Sequence, residues 1–319
     1  MASSTVRAFR ARLLYRALTL IASLGRGMSL RRAQACGRAV GRLAWHVVRR
    51  ERNKALHNIA VAFPEWSDEQ RRDVIRRMFD HLGMSLFEVA WLPNLKAETT
   101  PVVGIEPLRE LIAAKHPLLL IGAHCGNWEW MAHATQLGGV PIAVLHRERD
   151  DQEMNQFITE LRSGIGIHTI DRGSASSARD MIRALKNGQA LAFLMDQNIR
   201  AESVKIPFFG HPAPTPIGPA KLAIRMEAAV AIGFTSRTKD GHHHVEYFPP
   251  ILTSRGDDPV ALLTRITSAV EDHVRRVPDQ WVWMHDRWRE RPKWDVTTTL
   301  APASSPSPNP AATRASRTV

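Results

Sequence analysis

The 319-residue chain is 44% hydrophobic, enough to bury a substantial α/β core, and its two cysteines, Cys36 and Cys125, exclude a disulfide framework and fit no zinc pattern. The net charge of +12 is confined to one end: the first 54 residues hold 13 Lys and Arg against a single acid, Glu51, and the remainder is neutral. The excess therefore belongs to an N-terminal arm, and the cysteine usage suits a reducing compartment.

In that arm Arg12, Arg16, Thr19 and Ser23 recur at helical spacing, while Leu13, Leu14, Ala17, Leu18, Ile21 and Leu24 take the other face. This describes a basic amphipathic helix suited to an anionic leaflet. The longest charge-free run, residues 17–25, is far short of the ~20 residues a membrane span needs, so spanning would require Arg16 and Arg26 to snorkel. A helix lying on the membrane is favoured, and no small-residue cleavage site marks a removed signal peptide. A nucleic-acid-binding or simply solvated arm would leave the apolar face without a partner.

Residues 33–92 read as helical, with Ser67 as an N-cap and Gln70 three residues later. Short apolar runs then follow at 117–123, 141–147, 167–171 and 189–196, separated by helical patterns at 127–137, 151–163 and 174–187. Such alternation predicts an α/β fold, a mostly parallel sheet flanked by helices. It continues with a helix near 218–228, strands near 229–236 and 243–248, and a helix near 258–277. From Asp295 onward Pro, Ser, Ala and Thr dominate, and disorder is expected. The expected organisation is a membrane-associating arm (1–54), an α/β domain (55–294) and a disordered tail (295–319).

In open α/β sheets, sites form beyond the carboxyl ends of the strands. Here the first four strands end on His124, Arg147, Asp171 with Arg172, and Asp196. His124 and Glu129 stand five residues apart, which inside one helix would turn them about 140° from each other, so a bend must lie between them. Gly126 permits it, Asn127 can cap the following helix, and Glu129 falls in that helix's first turn, able to fold back toward His124. A histidine oriented by a carboxylate is a general base near neutral pH. The rival reading, a cysteine hydrolase with Cys125 as nucleophile, is disfavoured because adjacent strand-end residues point apart. His242, His243 and His244 alternate faces as strand residues and are expected to be solvated rather than metal-ligating. Trp281, Trp283, Trp288 and Trp294 crowd the end of the domain, as core or at a membrane interface.

The segment H-C-G-N-W-E (124–129) matches the H-x4-D/E motif of membrane-associated glycerolipid acyltransferases. Together with NIAVAFPE (58–65), VLHR (144–147), IDRG (170–173), MDQ (195–197), IPFFGHPAPTPIGPAKLA (206–223) and PDQWVWMHDRW (278–288), it resembles the late lipid A acyltransferase family of lipopolysaccharide assembly. The resemblance runs from about residue 53 to 291. It implies an O-acyltransferase moving a fatty acyl group from acyl carrier protein or acyl-CoA to a hydroxyl of a glycolipid, a lipid A precursor first of all. Relatives with this pattern also acylate phosphatidylinositol mannosides. The place implied is the cytoplasmic face of the bacterial inner membrane, held by a monotopic or single N-terminal anchor on an anionic surface, with no cofactor, metal or nucleic acid. Within the resemblance, His124 takes the hydroxyl proton and Glu129 orients its ring. Arg147 and Arg172 hold phosphates, Asn127 joins the substrate-binding set, and Asp196 orders the rim by pairing with an arginine. The family often has aromatic residues where this chain has Cys125 and His146. The FFGHPAPTPIGPA segment is expected to be a shaped loop over the acyl channel.

Overall fold

The structure, a computed structural model, describes residues 27–146, 152–289 and 295–296. The arm helix expected over residues 12–24, Arg147, Trp294 and the tail beyond Val296 lie outside the described residues. Three helices come first: α1 (Leu30–Val47), α2 (Arg49–Ala62) and α3 (Asp68–Trp91). The capping box is formed, with Ser67 and Gln70 each bonding the other's backbone N–H. α1 lies directly on α3, because glycines meet at the crossing: a Cβ on Gly37 would stand 2.4 Å from the Gly83 carbonyl oxygen, and one on Gly41 2.2 Å from that of Phe79. Residues 30–54, the second half of the expected arm, thus belong to α1 and α2, and α1 is packed into the domain. No helix among the described residues is long and apolar enough to cross a membrane.

The α/β region continues with β1 (Val102–Val103), α4 (Glu106–Ala113), β2 (Leu118–Gly122), α5 (Trp128–Leu137), β3 (Ile142–His146) and α6 (Gln152–Ser163). Next come β4 (His168–Asp171), α7 (Ser177–Lys186), β5 (Ala190–Leu194), β6 (Ser203–Phe208), β7 (His211–Pro216) and α8 (Gly218–Met226). The last are β8 (Ala229–Arg237), β9 (His243–Tyr247), β10 (Ile251–Leu252), α9 (Pro259–Arg276) and β11 (Asp295–Val296). Among the described residues the main sheet has the order β1-β9-β8-β2-β5-β3-β4, with β10 also paired to β8. Strands β8, β2, β5, β3 and β4 are mutually parallel, and β9 and β10 run antiparallel to β8.

β2 is buried along its whole length. Its period of two divides the core: Leu119 and Ile121 pack with α2, α3 and α9, while Leu118 and Leu120 pack with Trp130, Met131 and Ala134 of α5. A continuous apolar run is what a strand covered on both faces requires. It also places the residue after the strand at the centre of the rim.

The segment expected to be a shaped loop is instead a hairpin, β6–β7, leading into α8. Its two-residue turn has positive φ at both Phe209 (51°) and Gly210 (73°), as a tight hairpin turn requires. Pro212, Pro214 and Pro216 hid β7 from a pattern reading; they are tolerated because β7 is the edge of its small sheet, β11-β6-β7. Asp295–Val296, the first residues of the expected tail, supply the parallel strand on the other side of β6.

Candidate active site

Beyond β2 the chain turns sharply. Gly126 adopts φ 60°, and a Cβ there would meet the Thr235 carbonyl oxygen of β8 at 2.4 Å, so glycine is required twice over. The turn is tied to the chain's closing segment: Gly126 N donates to Gln280 O at 2.9 Å, and Val282 N donates to His124 O at 3.1 Å. Asn127 then caps α5, its Oδ1 accepting from Trp130 N at 3.1 Å. The bend expected between His124 and Glu129 is present.

The His124 side chain is 21% exposed, and its Nδ1 lies 2.8 Å from Asp196 Oδ1. The His124 backbone N–H donates to Asp196 Oδ2 at 2.8 Å, and Trp281 Nε1 donates to the same oxygen at 2.7 Å. Asp196 follows β5, the direct neighbour of β2, and parallel pairing brings the two strand ends together. Burial alone would raise the Asp196 carboxyl, but the His124 ring and the bonds donated by His124 and Trp281 outweigh it and hold the group below its ordinary value. An ionised carboxylate on Nδ1 keeps the proton there and leaves Nε2 as the acceptor.

Glu129 has another partner. Arg162 of α6 grips it with two bonds, Nη2 to Oε1 at 2.5 Å and Nε to Oε2 at 3.0 Å. Two sequence expectations are corrected by this geometry. The carboxylate that orients the His124 ring is Asp196, not Glu129, and Asp196 is bonded by a histidine and a tryptophan rather than by an arginine. The physical reason is that ends of adjacent parallel strands converge, whereas Glu129 lies inside the next helix and is drawn to a guanidinium. Arg162 was not singled out from sequence, because an ion pair across 33 residues leaves no periodic trace. Its Nη1 is buried and has no hydrogen-bond partner among the described residues.

The remaining expected residues divide. Arg172 closes β4, with its backbone N donating to His146 O at 2.7 Å, and Asp171 Oδ1 accepts from Gly173 N at 2.9 Å, which shapes the turn. Arg147 lies outside the described residues. Asn127 is buried, and both ends of its amide are engaged, Oδ1 by Trp130 N and Nδ2 by Glu88 Oε2 at 3.0 Å. It is a structural cap rather than the substrate ligand expected. His242 and His244 reach solvent, but His243 does not: it is buried, stacks on Trp130 at 4.3 Å and places Nε2 3.1 Å from Glu88 Oε2. The alternation of faces held, yet one of those faces is core. Trp281 and Trp283 are likewise buried in the core.

Cys125 is buried beside Trp281, and burial, followed by the charges of Asp196 and Asp279, pushes its thiol well above the ordinary cysteine value. It is no accessible nucleophile. The site thus places an imidazole held by a buried carboxylate at the end of the central strand, beside a sealed thiol. With the H-x4-E turn, fold and site define an α/β enzyme of the acyltransferase class.

The comparisons agree. The family model for bacterial lipid A biosynthesis acyltransferase matches residues 5–290. The chain is 30% identical over 266 residues to the lipid A biosynthesis lauroyltransferase of Escherichia coli (strain K12), covering 81% of this chain and 85% of that one. It is 24% identical over 262 residues to the lipid A biosynthesis palmitoleoyltransferase of the same strain, covering 80% and 84%. Similarity to a phosphatidylinositol mannoside acyltransferase of Mycobacterium tuberculosis (strain ATCC 25618 / H37Rv) is 23% over 190 residues, 58% of each chain. The chain belongs to the bacterial lipid A biosynthesis acyltransferase family, and it is an acyltransferase.

Proposed function

We propose that this enzyme moves a fatty acyl group from an acyl carrier protein or coenzyme A thioester to a hydroxyl of a glycolipid, with a lipid A precursor as acceptor. The observation that carries the reading is the 2.8 Å contact between His124 Nδ1 and Asp196, which turns Nε2 into an acceptor on a partly exposed ring. His124 Nε2 takes the acceptor's hydroxyl proton as that oxygen attacks the thioester carbonyl. The C–S bond then breaks, and the imidazolium returns the proton to the departing thiolate. No acyl-enzyme is needed, in keeping with the sealed Cys125. The Arg162 guanidinium, its plane fixed by Glu129, is a cation suited to an anionic group of donor or acceptor. Arg147 and Arg172 fit the same phosphate-holding task.

The enzyme works, in this reading, on the cytoplasmic face of the inner membrane. The end of α1 supports this: Leu43 and Val47 are 63% and 67% exposed, Val40 and the following Val48 are also exposed, and Arg49 and Arg50 at the start of α2 adjoin them. An apolar stripe edged by arginines fits an anionic leaflet. The decisive test is mass spectrometry of membrane lipids from cells with and without the protein, and with His124→Ala. A glycolipid lighter by one acyl chain both in its absence and with His124→Ala is expected; an unchanged lipid profile in both would overturn the assignment.

A further inference from the structure

We propose that Glu88 is a positioning residue for acyl transfer, holding the turn between His124 and Glu129 through the side chain of Asn127. This rests on the reading of His124 as the base.

Glu88 lies on α3, away from the sheet rim in sequence, and it is fully buried. Side chains from four other segments reach it, and three of them, Gln34, Arg237 and Asn127, donate hydrogen bonds. Oε1 accepts from Gln34 Nε2 of α1 at 2.8 Å and from Arg237 Nε of β8 at 3.1 Å. Oε2 accepts from Arg237 Nη2 at 2.5 Å and from Asn127 Nδ2 at 3.0 Å, with His243 Nε2 of β9 at 3.1 Å. A carboxylate has about four lone-pair sites, and here all are claimed. Replacing such a buried ionic cluster by apolar side chains is often neutral or stabilising, so stability alone is a weak account of it.

What the cluster does is geometric. Asn127 is the only residue of the turn among those five contacts. Its Nδ2 is held by Glu88 and its Oδ1 caps α5, so the carboxylate sets where the helix carrying Glu129 begins. Three residues earlier His124 is fixed independently by Asp196. With both ends of the H-x4-E stretch anchored, the separation between the base and the Glu129–Arg162 pair is set by Asn127's place on Glu88. Neither Glu88 nor Asn127 is exposed to substrate.

The test uses the full-length purified enzyme in anionic vesicles, with thioester consumption as readout and Asn127→Ser, Glu88→Gln, their combination and His124→Ala as variants. Serine caps a helix as well as asparagine does but is too short to reach Glu88. Asn127→Ser should keep Tm within about 5 °C of wild type and leave KM unchanged, while kcat falls about 10–100-fold. The double variant should have a kcat no lower than the worse single variant, because both break one linkage. Full kcat in Asn127→Ser overturns the proposal, as do kcat losses that multiply in the double variant. Should Glu88→Gln fail to fold, Asn127→Ser decides alone. An active His124→Ala enzyme would overturn the site reading itself, whereas a dead His124→Ala beside a fully active Asn127→Ser removes only Glu88.

Discussion

Asp196 holds His124 from 72 residues further along the chain, taking both its ring Nδ1 and its backbone N–H at 2.8 Å. The same carboxylate accepts from Trp281, so three separate segments agree on one ring orientation. Asp196→Asn should keep the shape of the site and lose the tautomer control, lowering kcat about 10²–10⁴-fold. Glu129→Gln should cost less, because it acts through Arg162. Steady-state rates check both, and a larger loss in Glu129→Gln than in Asp196→Asn would return Glu129 to the role of orienting group.

Cys125 separates the two possible nucleophile systems. The thiol is buried and held neutral, so Cys125→Ala should transfer acyl groups at nearly the wild-type rate, with a stability loss on the order of 1 kcal/mol for the small cavity. Intact-protein mass spectrometry during turnover should show no thioester on the enzyme. A folded but inactive Cys125→Ala variant would sink the direct-transfer mechanism.

His273 on α9 gives the protein an acid sensitivity unconnected with catalysis. It is buried against Phe234, with ring centroids 4.3 Å apart, and burial first, then Arg276, lowers its pKa from 6.5 to about 4. Between those values the unfolded chain binds the proton and the folded one does not. The stability this residue confers is therefore complete above about pH 6.5 and is lost as pH falls toward 4. His273→Gln should flatten the stability–pH curve in that window by up to about 3 kcal/mol. Urea denaturation at pH 4.5 and 7 measures it; identical slopes in both proteins would exclude the residue.

The exposed stripe of α1 can be tested without touching the core. Leu43→Glu combined with Val47→Glu replaces two side chains already in solvent, so Tm should hold, while cosedimentation with anionic vesicles should weaken about tenfold. Undiminished binding would move the membrane contact to the residues before Gly27.

The sequence by itself determined the α/β alternation, the turn at Gly126, the cap at Asn127 and the motif residues His124 and Glu129. These are local: an apolar run, a positive-φ glycine, a side chain bonding an amide three residues on, and a spacing of five. Tertiary structure decided who pairs with whom. Asp196 was legible as a strand end, but only the β2–β5 pairing puts it on His124, and only the packing of α5 and α6 gives Glu129 to Arg162. His243 is buried against Trp130, 113 residues earlier, with Glu88 in contact, and the β6–β7 hairpin was masked by prolines that an edge strand tolerates. Hydrophobic period is written into neighbouring residues because solvent acts on each one where it stands. A carboxylate's partner is chosen by which donors the fold brings within about 3 Å of it, and that choice has no period to read.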